Sequence, residues 1–190
     1  MILTDREIQI ALESGSLVID PAPDARAYSS TSVDLTLDAS LSVFKDNPSG
    51  VETAVDPGAA NFDHEKALAA LLEPAISIDL RNGYLFEPNR LLLAWTKEYV
   101  KLEPHARMAA RVEGKSSLAR LGIAVHITAP TIHAGFEGQI RLEMFNHGRM
   151  PVRLRTGMRI CQLIFEMTLG VPVQGYKGRF SGQSSARKKG

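Results

Sequence analysis

From Ala75 onward the chain is a succession of short strand patterns cut by turn signals, and this constrains the fold more than any other feature. Strands are predicted at 76–80, 91–100, 108–112, 123–128, 138–145, 152–154 and 160–167. Asn82-Gly83, Glu87-Pro88, Glu103-Pro104, Gly135, Asn146-His147-Gly148 and Thr156-Gly157 separate them. Glycine supplies left-handed backbone and proline breaks a ladder, so these residues mark where each strand stops. Many short strands of this kind suggest a β-sandwich, a jelly roll or a distorted barrel. No βαβ alternation is present, which argues against a Rossmann-type sheet.

The first part of the chain is mixed. Thr4 and Glu7 form a capping box, and Leu3 and Ile8 can staple the entry to a short helix. Ile8, Ala11 and Leu12 give it one apolar face, and Gly15 is the expected stop. Residues 32–44 alternate between apolar and polar side chains, as a strand with one buried face must. Residues 45–61 are rich in Pro, Gly, Asp and Asn and read as loop. Residues 63–72 read as a brief surface helix ended by Glu73-Pro74.

Composition narrows the function classes. The net charge of +1 argues against a general nucleic-acid binder. No apolar run is long enough to span a bilayer, so no membrane association is expected. The first residues show no charged leader before a long apolar stretch, so no secretory signal is expected. The chain has one cysteine, Cys161, which excludes an internal disulfide and suggests a cytoplasmic setting. Zinc nucleobase deaminases hold their metal with a His or Cys and a Cys-x-x-Cys pair. One cysteine cannot supply that set, so base deamination by this chain would not use that zinc chemistry.

Three segments carry side chains suited to chemistry. Residues 111–122 place Arg111, Lys115, Ser116, Ser117 and Arg120 close together. Cations and hydroxyls at such spacing suit a phosphate chain, and a short helix opening at Ser116 or Ser117 would add its amides. The order Gly-Lys-Ser lacks the earlier glycine of a Walker P-loop. A capped surface helix fits the same residues. In 125–146 a strand enters a turn and another leaves it. On a two-residue period Arg141, Glu143 and Phe145 share one face. A carboxylate there is solvated, paired with Arg141, or buried for a purpose. In 157–166 Gln162 is the odd polar residue of a buried strand, and a satisfied amide at a strand edge would explain it.

Taken in order, Gly-Lys-Ser-Ser-Leu-Ala-Arg at 114–120, the Thr-Ala to Ala-Gly-Phe-x-Gly turn at 128–138, Leu-Glu-x-Phe-Asn at 142–146 and Gly-Met-Arg-Ile-x-Gln-Leu at 157–163 resemble the dCTP deaminases of the dUTPase superfamily. The resemblance runs from the opening helix to the tail. It implies a mainly β chain with a few short helices, folded as a dUTPase-like distorted jelly roll (β-clip). It also implies a homotrimer with active sites between subunits. Residues 1–190 would form a single deaminase-like domain, within which 174–190, polar and rich in Gly and Ser, would be a mobile arm closing over nucleotide.

The same resemblance assigns roles. Lys115, Ser116, Ser117, Leu118, Ala119 and Arg120 match the phosphate-binding run; Ser116 would also place the attacking water and Arg120 grip the triphosphate. Ala129 falls where the family's backbone reads the base. Arg141, Leu142 and Glu143 match the strand of the catalytic carboxylate. Glu143 would take a proton from water, pass it to N3 of cytosine, and help protonate the leaving ammonia. Phe136 matches an aromatic position under the deoxyribose, and Gln162 a nucleotide contact. Tyr176, Arg179 and Gln183 match the closing arm, with Arg179 where the family usually has Lys.

Two departures bear on function. His133 stands where the superfamily often has Asp, and could still bond a 3′-hydroxyl. Deamination without efficient dUTP hydrolysis is therefore expected. Thr131 stands where some relatives have Arg, which leaves part of the phosphate grip without its usual side chain. The expected reaction converts dCTP and water to dUTP and ammonia, with Mg2+ carried by the triphosphate, no zinc, and dTTP as a feedback inhibitor to test. The alternatives are a dUTPase or bifunctional deaminase–diphosphatase, and a non-catalytic nucleotide-binding regulator.

Overall fold

The computed structural model describes residues 1–46, 54–176, 178 and 181–185. Part of the predicted 45–61 loop, Arg179 and the last five residues lie outside this set.

Helix α1 (Asp5–Glu13) begins where the capping box predicts. The Thr4 backbone N–H donates to the Glu7 carboxylate at 3.1 Å, and the Thr4 hydroxyl donates to the same group. Leu3, Ile8 and Ala11 are buried, and Gly15 follows the helix in the left-handed region at φ 74°. Strands β1 (Leu17–Asp20), β2 (Tyr28–Ser29) and β3 (Ser32–Val43) come next. Helix α2 (His64–Leu71) is capped by Asp63, whose carboxylate accepts from the Glu65 and Lys66 amides at 3.0 and 3.1 Å. Strands β4 (Ile76–Ser77), β5 (Tyr84–Phe86), β6 (Leu91–Leu102) and β7 (Met108–Gly114) lead to the four-residue helix α3 (Ser116–Ala119). The chain continues through β8 (Ile123–Ala124), β9 (Thr131–Ile132), β10 (Glu137–Asn146), β11 (Val152–Leu154) and β12 (Arg159–Met167).

The predicted mainly β architecture is what forms. Among the described residues, one curled sheet runs β8-β10-β6-β3-β12-β7-β9, with β1 on β6 and β2 and β4 on β3. β11 and β5 pair separately. β3 joins two halves. Its first residues pair with β12, and from Leu37 it pairs with β6, with an irregularity between Leu37 and Leu41. A bulge lets one strand turn a corner between two sheet directions. Asp38 supports the bend by accepting from the Ser40 amide at 2.9 Å. Glu98, only 6% exposed, accepts from the Thr36 amide at 2.8 Å and the Thr36 hydroxyl at 2.6 Å. Its carboxylate replaces acceptors that the irregular ladder does not provide. Leu35, Leu37, Leu41, Leu92, Leu142 and Phe165 fill the space between the halves. Each such side chain contributes about 1.5–3 kcal/mol by leaving water.

Two predicted strands are shorter than their alternation suggested. The 76–80 strand ends at Ser77, because Asp79 folds the following backbone into a turn, accepting from the Arg81 amide at 2.9 Å. The 123–128 strand ends at Ala124. Beyond it the chain leaves the β10 edge and crosses to β7, where the Pro130 carbonyl accepts from the Val112 amide at 2.8 Å. This crossing forms a wall over the outer face of β10.

Candidate active site

Strand β10 alternates strictly between half-buried and buried residues. Ile140, Leu142 and Met144 point into the core, so Arg141, Glu143 and Phe145 share the other face, as the two-residue period predicts. The crossing segment lies over that face, and between them is a cavity of about 320 Å³. Glu143, Arg141 and the edge at Leu142 form its floor. Ala129, Thr131 and His133 line it from the crossing segment and β9, with Phe136 beside them. Tyr176 and Gln183 close it from the tail. Eight residues that the resemblance assigned to the nucleotide (Ala129, His133, Phe136, Arg141, Leu142, Glu143, Tyr176 and Gln183) thus meet at one place.

Burial pushes the Glu143 carboxyl above the ordinary carboxylate range. Its own backbone N–H and the charges of Arg141 and His126 pull the other way. A carboxyl moved towards neutrality can both accept and return a proton, which is what a proton shuttle requires. Burial likewise lowers Arg141, while Glu143 and Glu65 oppose that shift. The Arg141 guanidinium lies over the Trp95 ring, 5.0 Å from its centroid, on the strand register that pairs the two residues.

The described part of the tail packs on the same chain. The Tyr176 amide donates to the Ala134 carbonyl at 3.0 Å, and its ring stacks on His133 with centroids 5.4 Å apart. Gln183 bridges Gly138 in parallel, accepting from the Gln139 amide and donating its side-chain amide to the Gln139 carbonyl, both at 2.9 Å. Two glycines allow this approach. A Cβ at Gly135 would lie 2.8 Å from the Tyr176 nitrogen, and one at Gly138 2.9 Å from the Gln183 oxygen. Both also have positive φ, at 83° and 142°.

The predicted phosphate run is placed elsewhere. Helix α3 follows Lys115, whose ammonium donates to Asp34 at 2.5 Å. Ser116, Ser117, Leu118 and Arg120 do not line the Glu143 cavity among the described residues. Ala119 lines a neighbouring cavity of about 340 Å³ together with Gly122, Ala124 and His147. Gln162 is also away from Glu143. Its amide accepts from the Ser32 hydroxyl at 3.0 Å and donates to the Gly114 carbonyl at 3.2 Å, which ties down the start of the run. Sequence reasoning assigned no role to His126, which lines both cavities and has a buried Nδ1 without a partner among the described residues. The signal was available: alternation from the buried Val125 puts His126 on the opposite side.

A family model described as dCTP deaminase-like matches residues 2–168. The chain belongs to the dCTP deaminase-like family. Within it, a dUMP-forming dCTP deaminase of Methanobrevibacter smithii is 39% identical over 173 residues, which is 91% of this chain and 83% of that protein. A dCTP deaminase of Shewanella frigidimarina is 38% identical over 181 residues, 95% of this chain and 91% of that one. The crystal structure of the 2′-deoxycytidine 5′-triphosphate deaminase from Agrobacterium tumefaciens matches with a TM-score of 0.64 at 22% identity. That match covers 87% of this chain but 48% of the other, so this member of the dCTP deaminase-like family spans about half its length and shares its fold.

Proposed function

We propose that this protein hydrolyses the exocyclic C–N bond of dCTP, giving dUTP and ammonia in pyrimidine deoxynucleotide metabolism. The observation that carries the reading is Glu143: a carboxyl pushed up by burial, on the floor of a nucleotide-sized cavity, in a chain of the dCTP deaminase-like family. Glu143 takes a proton from water as the oxygen attacks C4 and delivers it to N3. The tetrahedral carbon then expels ammonia, with the second proton of the water passing to the leaving nitrogen through the same carboxyl. Phe136 and Tyr176 supply apolar surface for the sugar and exclude water.

One chain does not bring Ser116 and Arg120 to this cavity. We therefore propose a homotrimer in which a neighbouring copy supplies residues 115–120, with Ser116 holding the water and Arg120 the triphosphate. Ser117 and the α3 amides would add donors for phosphate oxygens. Mg2+ is proposed to arrive with the triphosphate. Among the described residues no group of three or more His, Cys, Asp and Glu side chains comes together, and the oxygen-rich triphosphate is itself a suitable magnesium ligand. dTTP is proposed to compete for the same site. A cytoplasmic setting is proposed from the buried free thiol of Cys161; among the described residues no helix is long and apolar enough to cross a membrane.

Purified protein incubated with dCTP and Mg2+, with products separated by chromatography, tests this. dUTP and ammonia are expected. Folded protein that forms neither dUTP nor dUMP would overturn the reading. A second reading, deamination followed by hydrolysis, is favoured by the M. smithii relative, which is named dUMP-forming. It requires dUMP and pyrophosphate in the same assay. His133, which stacks on Tyr176 and carries no carboxylate, is the reason to expect dUTP as the main product.

A further inference from the structure

Arg141 is placed in a way that its neighbours do not explain as packing. It is a cation on the half-buried face of β10, two residues from Glu143 and lining the same cavity. Its Nε is buried and has no hydrogen-bond partner among the described residues. What orients the guanidinium is the indole of Trp95, itself 8% exposed, with the charge 5.0 Å above the ring. A cation over an indole face is held by the ring quadrupole, and among the described residues no carboxylate accepts from the Arg141 Nε. In a partly desolvated site such a charge acts on the nearest carboxylate more strongly than it could in water.

We infer that Arg141 is a positioning residue for deamination: seated on Trp95, its guanidinium keeps the adjacent Glu143 carboxylate ionised, so that it can accept the proton of the attacking water. The inference rests on the reading of Glu143 as proton shuttle. It gives the two opposed influences on Glu143 separate tasks. Burial makes the carboxyl able to return its proton, and Arg141 keeps it from being protonated before water attacks. Other titratable groups face the same space. His126 comes from the crossing segment, His133 and Tyr176 from the far wall, and Glu65 of α2 acts on Arg141. Of the cations, Arg141 stays charged throughout the working pH range and shares the β10 face of Glu143.

The test measures Glu143 directly and needs no substrate. Protein labelled with 13C at the glutamate carboxyl is titrated by NMR, with Glu143→Gln assigning the signal. In Arg141→Met, which keeps an unbranched side chain over Trp95 but removes the charge, the Glu143 titration moves to higher pH. In Arg141→Lys it moves less. The acid limb of kcat/KM for dCTP shifts in the same direction and order. Arg141→Gln serves as the second neutral variant should the methionine protein fail to melt as a folded protein. An unchanged Glu143 titration in a folded neutral variant overturns the inference, even if turnover falls, since lost packing alone would lower kcat without moving the titration. A shifted titration in a protein that never deaminates dCTP leaves the electrostatic coupling standing and removes the deaminase reading instead.

Discussion

Replacing Glu143 by Gln should move activity and stability in opposite directions. The amide keeps the size of the carboxyl but cannot shuttle a proton, so kcat falls by roughly 10²–10⁴-fold, the usual contribution of a positioned acid–base group. Binding of dCTP remains largely intact. Stability responds to the raised pKa. A carboxyl whose folded pKa lies above its unfolded value favours the folded state at low pH. That advantage disappears as pH rises through the folded pKa, and above it the native charge is a burden. For a chain of this size 1 kcal/mol moves Tm by about 2–4 °C. Glu143→Gln should therefore melt higher than wild type at pH 8, with the gap closing at pH 4. Melting curves at both pH values, alongside dCTP turnover, check this. A variant that melts lower at pH 8, or a gap that does not change with pH, would refute the argument that Glu143 carries a buried charge.

Three further outcomes follow from the geometry. Gly138→Ala puts a Cβ against Gln183 and strains a positive φ, at a cost of about 1–2 kcal/mol; it should release the tail, seen as faster hydrogen exchange at the Gln139 amide, and wild-type protection there would count against it. Glu98→Ala leaves both Thr36 donors without their acceptor and should lower unfolding free energy by about 2–4 kcal/mol in urea, with Glu98→Gln intermediate. His133→Ala removes the ring under Tyr176 and should raise KM for dCTP several-fold, while His133→Phe, which keeps a stacking surface, should restore most of it.

Much of the fold can be read from local patterns because the same residues set both. The period of two in 137–146 fixes which side of β10 meets the core, and the Thr4 and Glu7 pair fixes where α1 begins. Short strands such as β1 and β9 escaped notice, since four or two residues show no period and exist because a neighbouring strand pairs with them. The 123–128 prediction failed for a related reason: its alternation is real, but the segment must cross from β10 to β7, and tertiary connection overrides it. At the site, ordered motifs located the residues that share the Glu143 cavity. They could not say that 115–120 sits outside it within one chain, because a linear pattern does not record how far the α3 turn lies from the outer face of β10. Arg141 on Trp95 was equally hidden, since a cation–ring contact depends on cross-strand register.

The bend in β3 has a practical consequence for anyone watching this protein unfold. Because one strand is laced into both halves of the curled sheet, neither half can melt while the other keeps its register. Each half carries one unique reporter: Trp95 on β6 and the buried thiol of Cys161 on β12. Loss of tryptophan fluorescence and gain of thiol reactivity should therefore trace a single coincident transition.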